Sequence, residues 1–298
     1  MNDVSGSYSQ VGFDEARVDV VAETPDNIIY QSWMSYLKKT LGRSESFAHQ
    51  RAMADVTRSR AKGFVDSLKK SGWPIEGMTV LDLGSGHGTL AVELAASGAI
   101  VTAVEPCDAW REVAERRTAE LGLQVQHVGA DGASLPFKDG SFDAVVSLQV
   151  LEHVKSPQSV IAEMARVVKP GGRFFVSCEN YLAFREQHYG VFWFPLLPRW
   201  IGALYLRARG RNPEFLLKHV TYTTWPRLLR DFIDSGLIAN EWVSVLNVTP
   251  EEMTWKSWCF YAPAKLVVGE RRARRLLVLA RNHRKIFGVG FRASGVRY

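Results

Sequence analysis

Three closely spaced glycines are the first residues whose pattern suggests chemistry. Gly84, Gly86 and Gly88 follow an apolar run that begins at Val80 and precede a stretch with helical periodicity. Because glycine has no side chain, backbone atoms in such a turn can touch a ligand, and similar turns bind nucleotides in several folds. Some glycine turns bind nothing, so the loop alone does not identify a site.

Two acids narrow the choice of nucleotide. Glu105 lies 21 positions after Gly84, where a carboxylate at the end of a second strand can accept hydrogen bonds from both ribose hydroxyls. NAD and S-adenosylmethionine both satisfy that position. Asp131 follows a third predicted strand and could accept from an adenine amino group, for which a pyrophosphate-binding fold has no equivalent need. The pair of acids therefore favours S-adenosylmethionine.

A longer series of motifs contains these residues. In order they are Asp82–Gly88, Glu105, Asp131, Leu135–Phe137, Ser141–Val145, Leu151–Val154 and Val168–Gly172. The series resembles the signature of the class I S-adenosylmethionine-dependent methyltransferases, methyltransferase domain types 11 and 25. The resemblance is strong from Gly77 to Val176 and loose elsewhere.

The resemblance implies a role for each matching residue. The backbone at Gly84, Gly86 and Gly88 would lie against the methionine half of the cofactor, and Asp82 would support the loop or contact the ammonium group. Glu105 would bind the ribose diol. Asp131 and the Gly132 amide would address adenine, and Gln149 would border the sulfonium methyl. Ser85 and Pro106 are the remaining expected cofactor contacts.

A hydroxyl acceptor would require a base, and histidine is the usual base near neutral pH. The candidates are His188, His219 and His153, although any one histidine is more often structural than catalytic. His188 leads, because its neighbours are suited to lining a pocket.

The pair Glu152-His153 permits two interpretations. In ubiquinone-type O-methyltransferases the matching Glu-His pair can take part in binding a divalent metal, whereas in many methyltransferases it starts a helix. We favour the structural interpretation and expect no metal.

Alternating strands and helices position these residues. The predicted strands are Thr79–Leu83, Ile100–Val104, Val125–Val128, Phe142–Leu148, Arg173–Cys178, Leu237–Leu246 and Trp255–Ala262. The predicted helices between them are Thr89–Ser97, Ala109–Leu121, Pro157–Val168 and Thr224–Ser235. The pattern predicts an α/β fold, a Rossmann-like, doubly wound and mostly parallel seven-stranded sheet.

Additions flank this domain, which we place at residues 73–264. Residues 1–72 are predicted to be a polar segment followed by a helical cap. Residues 180–222, rich in aromatics and prolines, are predicted to cover the substrate or to pack a helical lid. The part from Arg185 to Arg199 resembles an insertion of bacterial methyltransferases of sugar and cell-surface polysaccharide pathways, and aromatic rings suit a cyclic acceptor.

The predicted basic tail, residues 265–298, has ten Lys and Arg against the single acid Glu270, in a chain whose net charge is +6. Such a tail suggests an anionic membrane, a lipid-linked phosphate or nucleic acid as partner, or a solvated helix without a partner.

Composition points to a soluble globular chain, with 46% hydrophobic and 23% charged residues. Three scattered cysteines and the absence of a signal-like N-terminus predict a cytoplasmic protein, peripheral at the inner membrane if the tail binds there. The apolar stretch Val191–Leu206 contains two prolines and is too short to span a bilayer.

The function favoured by the sequence is O-methylation of a small-molecule or glycan acceptor, including a lipid-linked one. A nucleic-acid methyltransferase is less favoured, because Ser147-Leu148-Gln149-Val150 stands where an Asn-Pro-Pro-Tyr-like motif would be expected. A binding module without turnover is the remaining alternative, and the intact loop with both acids argues against it.

Overall fold

The computed structural model describes residues 24–244 and 290–297 of the 298-residue chain. Their main feature is a seven-stranded sheet. Its strands are β1 (Thr79–Leu83), β2 (Ile100–Val104), β3 (Val125–Val128), β4 (Phe142–Leu148), β5 (Val168–Glu179), β8 (Leu237–Ser244) and β9 (Gly290–Arg297). The order across the sheet is β3-β2-β1-β4-β5-β9-β8. Strands β1 to β5 are parallel, and β9 is antiparallel to both of its neighbours, so the predicted Rossmann-like, mostly parallel sheet is confirmed.

Helices cover both faces of the sheet, as alternating strands and helices require. They are α4 (Thr89–Ala96), α5 (Asp108–Glu120), α6 (Pro157–Val167) and α9 (Trp225–Asp234). Successive residues of β1 point to opposite faces: Val80 packs in the core with α4, whereas Leu81 packs in the core with α6 and α9. The strand is therefore buried on both sides, which explains its continuous apolar sequence.

The N-terminal cap consists of α1 (Pro25–Ser35), a π-helical turn (Tyr36–Thr40), α2 (Glu45–Val56) and α3 (Ser59–Lys70). Thr24 caps α1 by accepting from the Asn27 amide, and Pro25 takes the first helical position, where no amide is needed. Buried Arg117 of α5 donates to the carbonyls of Asp55 and Val56 at 3.0 and 2.9 Å. These bonds fix the cap to the sheet domain.

The aromatic insertion follows β5. It contains the hairpin β6 (Arg185–Glu186) and β7 (Val191–Phe192) and the helices α7 (Arg199–Ala208) and α8 (Glu214–His219). Its buried side chains share a third core with the cap, in which Leu37 and Leu41 meet Tyr189 and Trp193. Cap and insertion therefore form one lobe at the carboxyl edge of the sheet.

The prediction of a basic tail is wrong for Gly290–Arg297. These residues form β9, inside the sheet, and Arg297 donates to the carbonyls of Arg166 and Val168. A Cβ at Gly295 would lie 1.8 Å from the Ile238 carbonyl oxygen, so a glycine is needed there. The prediction failed because the two arginines of this segment were counted with the basic tail, so its small and apolar residues were not recognised as a strand. The predicted strand Trp255–Ala262 lies outside the described residues.

None of the helices in the described part of the chain is both long enough and apolar enough to cross a membrane.

Candidate functional site

The glycine loop lies where the carboxyl ends of β1, β2 and β4 meet. The amides of Gly84 and Ser85 both donate to the Val104 carbonyl, at 2.8 and 3.0 Å, so the loop crosses the end of β2. Gly84 has a φ of +76°, and a Cβ there would lie 2.3 Å from Val150 Cγ2. Only glycine fits, and the loop backbone itself lines the adjacent crevice.

Gly88 performs a similar role at the start of α4. Its φ is +72°, and a Cβ there would lie 2.8 Å from the Cβ of Ala114. The absence of a side chain at Gly88 therefore lets α4 begin directly against α5, and the loop between β1 and α4 stays short.

Glu105 lies at the end of β2, where the sequence places it. Its carboxylate accepts from the Gly86 amide at 2.9 Å and from the Cys107 amide at 3.0 Å. The side chain is buried, and burial raises its pKa. Each oxygen keeps a lone pair that a ligand hydroxyl could use, because a carboxylate can accept about four hydrogen bonds.

Asp82 and Ser85 present buried polar atoms to the loop. Asp82 Oδ2 and Ser85 Oγ have no hydrogen-bond partner among the described residues. Burial, and then the nearby Glu105, raise the pKa of Asp82 to about 7. A cationic ligand group would favour the charged forms of both acids. The loop therefore fits the ammonium-bearing methionine half of the expected cofactor.

The crevice beside the loop brings the predicted adenine contacts together. It has an empty volume of about 300 Å³, open mouth included, and is lined by Leu83, Gly84, Val104, Pro106, Ala130, Asp131, Gly132, Val150 and Val154. Asp131 accepts from the Ala133 amide through Oδ1 at 2.9 Å, which leaves Oδ2 for a ligand amino group. Gly132 and Pro106 lie on its walls.

Gln149, directly after β4, is in a left-handed conformation with a φ of +59°. Non-glycine residues adopt it at a cost, and such strain is concentrated at functional sites. Oriented so that its nitrogen faces two carboxyl groups, the amide donates to Glu179 at 2.9 Å and to Glu152 at 3.1 Å. Gln149 therefore links the crevice, which the next residue lines, to a second buried group of side chains.

That second group, here the acid–histidine cluster, comprises Glu152, His153, Glu179, Glu186 and His188. The insertion supplies Glu186 and His188, whose Nδ1 lies 2.9 Å from Glu186 Oε1. Glu186 is itself held by the Tyr189 amide at 2.6 Å and the Tyr181 hydroxyl at 3.1 Å. This pairing fixes the imidazole and leaves His188 Nε2 for another partner.

Protons in the acid–histidine cluster are governed by burial and by its several charges. Burial raises the pKa of Glu152 to about 7, and burial with Glu152 and Glu186 raises that of Glu179 to about 9. Burial alone would lower the pKa of His188, but Glu186, Glu179 and Glu152 raise it to about 9. Burial therefore favours the protonated form of Glu179, and the surrounding carboxylates favour the protonated form of His188.

The other two candidate histidines have different surroundings. His153 faces His188 with ring centroids 5.2 Å apart, and burial, then His188, lower its pKa to about 3. His153 Nδ1 lies 2.9 Å from the His219 carbonyl oxygen. His219 therefore contacts the cluster through its backbone carbonyl, and its imidazole ring packs beside Phe215.

One part of the cluster could hold a metal ion. Glu152, His153 and His188 each offer a ligand atom, and these atoms lie within 4.8 Å of one another. Glu152 Oε2 is buried and has no hydrogen-bond partner among the described residues. An imidazole with Nδ1 bonded to a carboxylate and Nε2 open is the arrangement of a metal ligand as well as of a general base.

Side chains that the sequence analysis missed complete the site. Glu179 and Glu186 are absent from the predicted residues, although an acid at the carboxyl end of β5 and another two positions before His188 were signals for both. From the cap, Tyr36 packs edge-on against Phe215 at 5.4 Å, and Trp33 packs near His87 of the glycine loop. The cap therefore closes the site from the side opposite β5.

Comparison with known proteins agrees with this geometry. The family model described as a methyltransferase domain matches residues 81–176. The ubiquinone biosynthesis O-methyltransferase of Xanthomonas oryzae pv. oryzae is 35% identical over 165 residues, which cover 51% of this chain and 69% of that protein. The demethylmenaquinone methyltransferase of Clavibacter sepedonicus is 44% identical over 106 residues, which cover 36% of this chain and 42% of that protein. The chain spans less than half the length of most curated relatives that head the comparison.

Solved structures share the fold. A geranyl diphosphate methyltransferase in complex with SAM superposes with a TM-score of 0.54 at 20% identity, over 87% of this chain and 94% of that chain. An S-adenosylmethionine-dependent methyltransferase from Mesorhizobium loti gives 0.51 at 18% identity, over 78% and 96%.

Proposed function

Since the chain belongs to the class I S-adenosylmethionine-dependent methyltransferases, we propose that it methylates a hydroxyl oxygen of a small-molecule or glycan acceptor. The cofactor is S-adenosylmethionine, which supplies a methyl group activated by its positive sulfur. The observation that carries the choice of oxygen is the Glu186–His188 pair, beside the end of β4.

The first task of the protein is to hold the cofactor in one orientation. In our proposal Glu105 accepts from the ribose hydroxyls and Asp131 Oδ2 accepts from the adenine amino group. Asp82 and Ser85 receive the ammonium group at their unpartnered oxygens. An in-line displacement gains most from such alignment, and from the exclusion of water by the covering lobe.

The second task is to remove the hydroxyl proton. His188 Nδ1 is held by Glu186, and His188 offers a ring nitrogen within 4.8 Å of ligand atoms of Glu152 and His153, so the ring is oriented for proton transfer. We propose that the acceptor proton passes to Nε2 in the fraction of the protein in which His188 is unprotonated, a fraction that grows as the pH rises towards about 9. Glu186 positions the imidazole and stabilises its charge. His153 and His219, the other candidates, would position the insertion through their mutual hydrogen bond.

An apolar ring is the acceptor that the site suits best. Aromatic side chains of the insertion and cap surround the acid–histidine cluster, among them Tyr36, Tyr181 and Phe215. Such side chains stack on quinone-like rings and on sugar faces. The relative of which this chain covers 69% is named a ubiquinone biosynthesis O-methyltransferase, which favours oxygen as the methylated atom.

The test combines acceptor discovery with a matched histidine pair. The protein is incubated with radiolabelled S-adenosylmethionine and with cell extract separated into lipid, glycan, small-molecule and nucleic-acid pools. Once an acceptor is found, His188→Gln is compared with His49→Gln, a change at an exposed histidine of the cap. We expect His188→Gln to lower kcat by about 10² to 10⁴-fold, the usual contribution of a general base, with an unchanged cofactor Kd.

Three outcomes contradict this proposal. Label in the nucleic-acid pool would support the alternative that the sequence left open, and no label in any pool would favour a binding module. Unaltered turnover by His188→Gln, at a cofactor affinity equal to that of His49→Gln, would remove His188 from the proton-transfer role.

A metal-assisted form of the same reaction is a second candidate, favoured by the convergence of Glu152, His153 and His188. A divalent cation there would bind the acceptor oxygen and lower its pKa. Loss of turnover in EDTA with recovery on adding magnesium would support it. Full turnover in EDTA would support the metal-free form.

The second part of the proposal concerns the basic residues 265–289, which lie outside the described residues. We propose that they attract an anionic membrane or a lipid-linked acceptor, because each basic residue near such a surface contributes about 1 kcal/mol. Equal sedimentation of the protein with vesicles that contain anionic lipid and with vesicles that lack it would contradict this role.

A further inference from the structure

The outward face of the insertion hairpin carries phenylalanines where polar residues are expected. From Val191 to Phe194 the side chains alternate, and Val191 and Trp193 are buried in the core shared with the cap. Phe192 and Phe194 point outward, with 55% and 59% of their surfaces exposed. A hairpin with one buried face normally has polar residues on the other, so this apolar outer face is not explained by folding.

Exposed apolar side chains also lie on α7, which follows the hairpin in the sequence. A Cβ at Gly202 would lie 2.5 Å from Trp193, so α7 packs its small residues closely against the inner face of the hairpin. Trp200 and Leu204, one turn apart on α7, are 67% and 55% exposed. We call the exposed apolar side chains of this segment the insertion patch: Phe184, Phe192, Phe194, Leu196, Trp200 and Leu204.

Contacts within the patch connect its members. The rings of Phe184 and Phe192 are stacked with centroids 6.2 Å apart, and Phe192 meets Phe194 edge-on at 5.2 Å. The three phenylalanines therefore form one surface along the hairpin.

Leu196 connects the hairpin to α7 at an energetic cost. Its φ is +53°, a left-handed conformation that is unfavourable for a branched side chain, and its amide is tied to the Tyr181 carbonyl at 3.0 Å. The strained backbone presents a leucine that is 49% exposed. A strained conformation that displays an apolar side chain to water is expected at a binding surface rather than in a packing element.

Positive charge predominates in the segment that carries the insertion patch. Residues 180–211 contain Arg185, Arg199, Arg207, Arg209 and Arg211 and the single acid Glu186. Glu186 is buried and bonded to His188, so it does not offset the arginines at the surface. Glu214, the acid that follows on α8, is paired with Lys218 at 2.6 Å. Exposed aromatic and aliphatic side chains in a segment rich in arginine are the chemistry that binds the interface of an anionic bilayer.

We propose that the insertion patch docks this protein on an anionic lipid bilayer. Trp200, Phe192 and Phe194 enter the boundary between headgroups and acyl chains, and the arginines contact lipid phosphates. A second copy of the chain is disfavoured as the occupant, because a two-fold contact through this patch would bring like-charged arginines together. Residues 245–289 are themselves basic, which disfavours them in the same way.

The position of the insertion patch connects docking to the methyl-transfer site. The same hairpin carries Glu186 and His188 on its inner side and the phenylalanines on its outer side. Docking would therefore place the acid–histidine cluster close to a membrane-held acceptor. Vesicle binding needs neither cofactor nor acceptor, so this inference can fail or hold independently of the proposed reaction.

The experiment measures sedimentation of the full-length protein with vesicles of phosphatidylcholine, with and without phosphatidylglycerol. The patch variant is Phe192→Ser with Trp200→Ala, and its matched control is Ile233→Ser, an exposed apolar residue of α9 outside the patch. We expect the patch variant to bind anionic vesicles about tenfold or more weakly, since each buried aromatic contributes appreciably. The control and the wild type should bind alike.

Charge and tail variants separate this surface from the basic segment. Arg207→Glu with Arg209→Glu tests the arginines of the patch, and Arg274→Glu with Arg275→Glu tests residues 265–289. Both pairs remove the same charge. The proposal expects the first pair to lower binding to anionic vesicles about tenfold.

Three results would overturn the proposal. They are binding unaffected by the patch variant, binding lost only with Arg274→Glu and Arg275→Glu, and a dimer in light scattering that the patch variant separates. Circular dichroism melting identical to that of the wild type shows that the variants are folded, as expected for exposed side chains.

Discussion

At the scale of single residues, the cofactor site depends on acidic side chains whose positions are fixed by the strand that precedes each of them in the sequence. Glu105 follows β2 directly and Asp131 lies three residues after β3, so their place at the carboxyl edge of the sheet could be predicted from position along the chain. Glu179 could not be assigned in this way, because it becomes a neighbour of Glu152 and His188 only when the insertion folds back on β4 and β5. A sequence read locally does not contain that contact. Glu186, two positions before its partner His188, was a local signal that the sequence analysis did not use.

The first prediction concerns Glu105. Glu105→Ala removes the acceptor proposed for the ribose hydroxyls, and a hydrogen bond to a charged group contributes about 1.5 to 3 kcal/mol. We expect calorimetry to give a cofactor Kd about ten- to a hundredfold higher. Glu120→Ala, an exposed acid on α5, is the control and should leave the Kd unchanged. An equal Kd in both variants would reject the role of Glu105.

At the scale of elements, β1, β4 and β5 are joined at the edge opposite the site. Asp143 of β4 accepts from the amide and hydroxyl of Thr79 at 2.8 and 2.7 Å, and from Lys169 at 2.6 Å. These strands carry the glycine loop, Gln149 and Glu179 at their other ends. The sequence predicted each strand, but not this connection, which depends on the register between strands distant in sequence.

Acid titration tests that connection. The hydrogen bond from Lys169, then those from Thr79, lower the pKa of Asp143 to about 2, below its unfolded value. Its contribution to stability is therefore complete above about pH 4 and is lost as the pH falls through about 2. We expect Asp143→Asn to lower the free energy of unfolding by about 1 to 2 kcal/mol at pH 7, allowing for partial exposure.

Urea unfolding of the two proteins between pH 7 and pH 3 measures this effect. The difference between wild type and Asp143→Asn should shrink only at the acid end of the series. Asp66→Asn, an exposed acid of α3, provides the comparison and should show little difference at any pH. A difference for Asp143→Asn that grows on acidification would contradict the assigned ion pair.

At the scale of the whole molecule, the chain has two functional layers. The sheet with its helices holds the cofactor crevice, and the lobe of cap and insertion covers it with a separate core. The sequence predicted both layers, because periodicity defines the sheet and aromatic density marks the insertion. It did not predict β9, whose arginines resembled a solvated tail, nor the fusion of cap and insertion, which depends on contacts such as Tyr36 with Phe215.

If the two layers have separate roles, damage to the lobe core should impair acceptor chemistry and spare cofactor binding. Gly202→Ala introduces a Cβ 2.5 Å from Trp193, inside the lobe and away from the crevice. We expect a stability loss of about 1 to 3 kcal/mol, as for other overpacked cores, with lower kcat and an unchanged cofactor Kd. Gly63→Ala is the matched control, because a Cβ there meets nothing within 4 Å on helix α3. The contrary result would be that Gly202→Ala raises the cofactor Kd in proportion to its loss of turnover. The crevice would then depend on the packing of the lobe, and the two layers would not have separate roles.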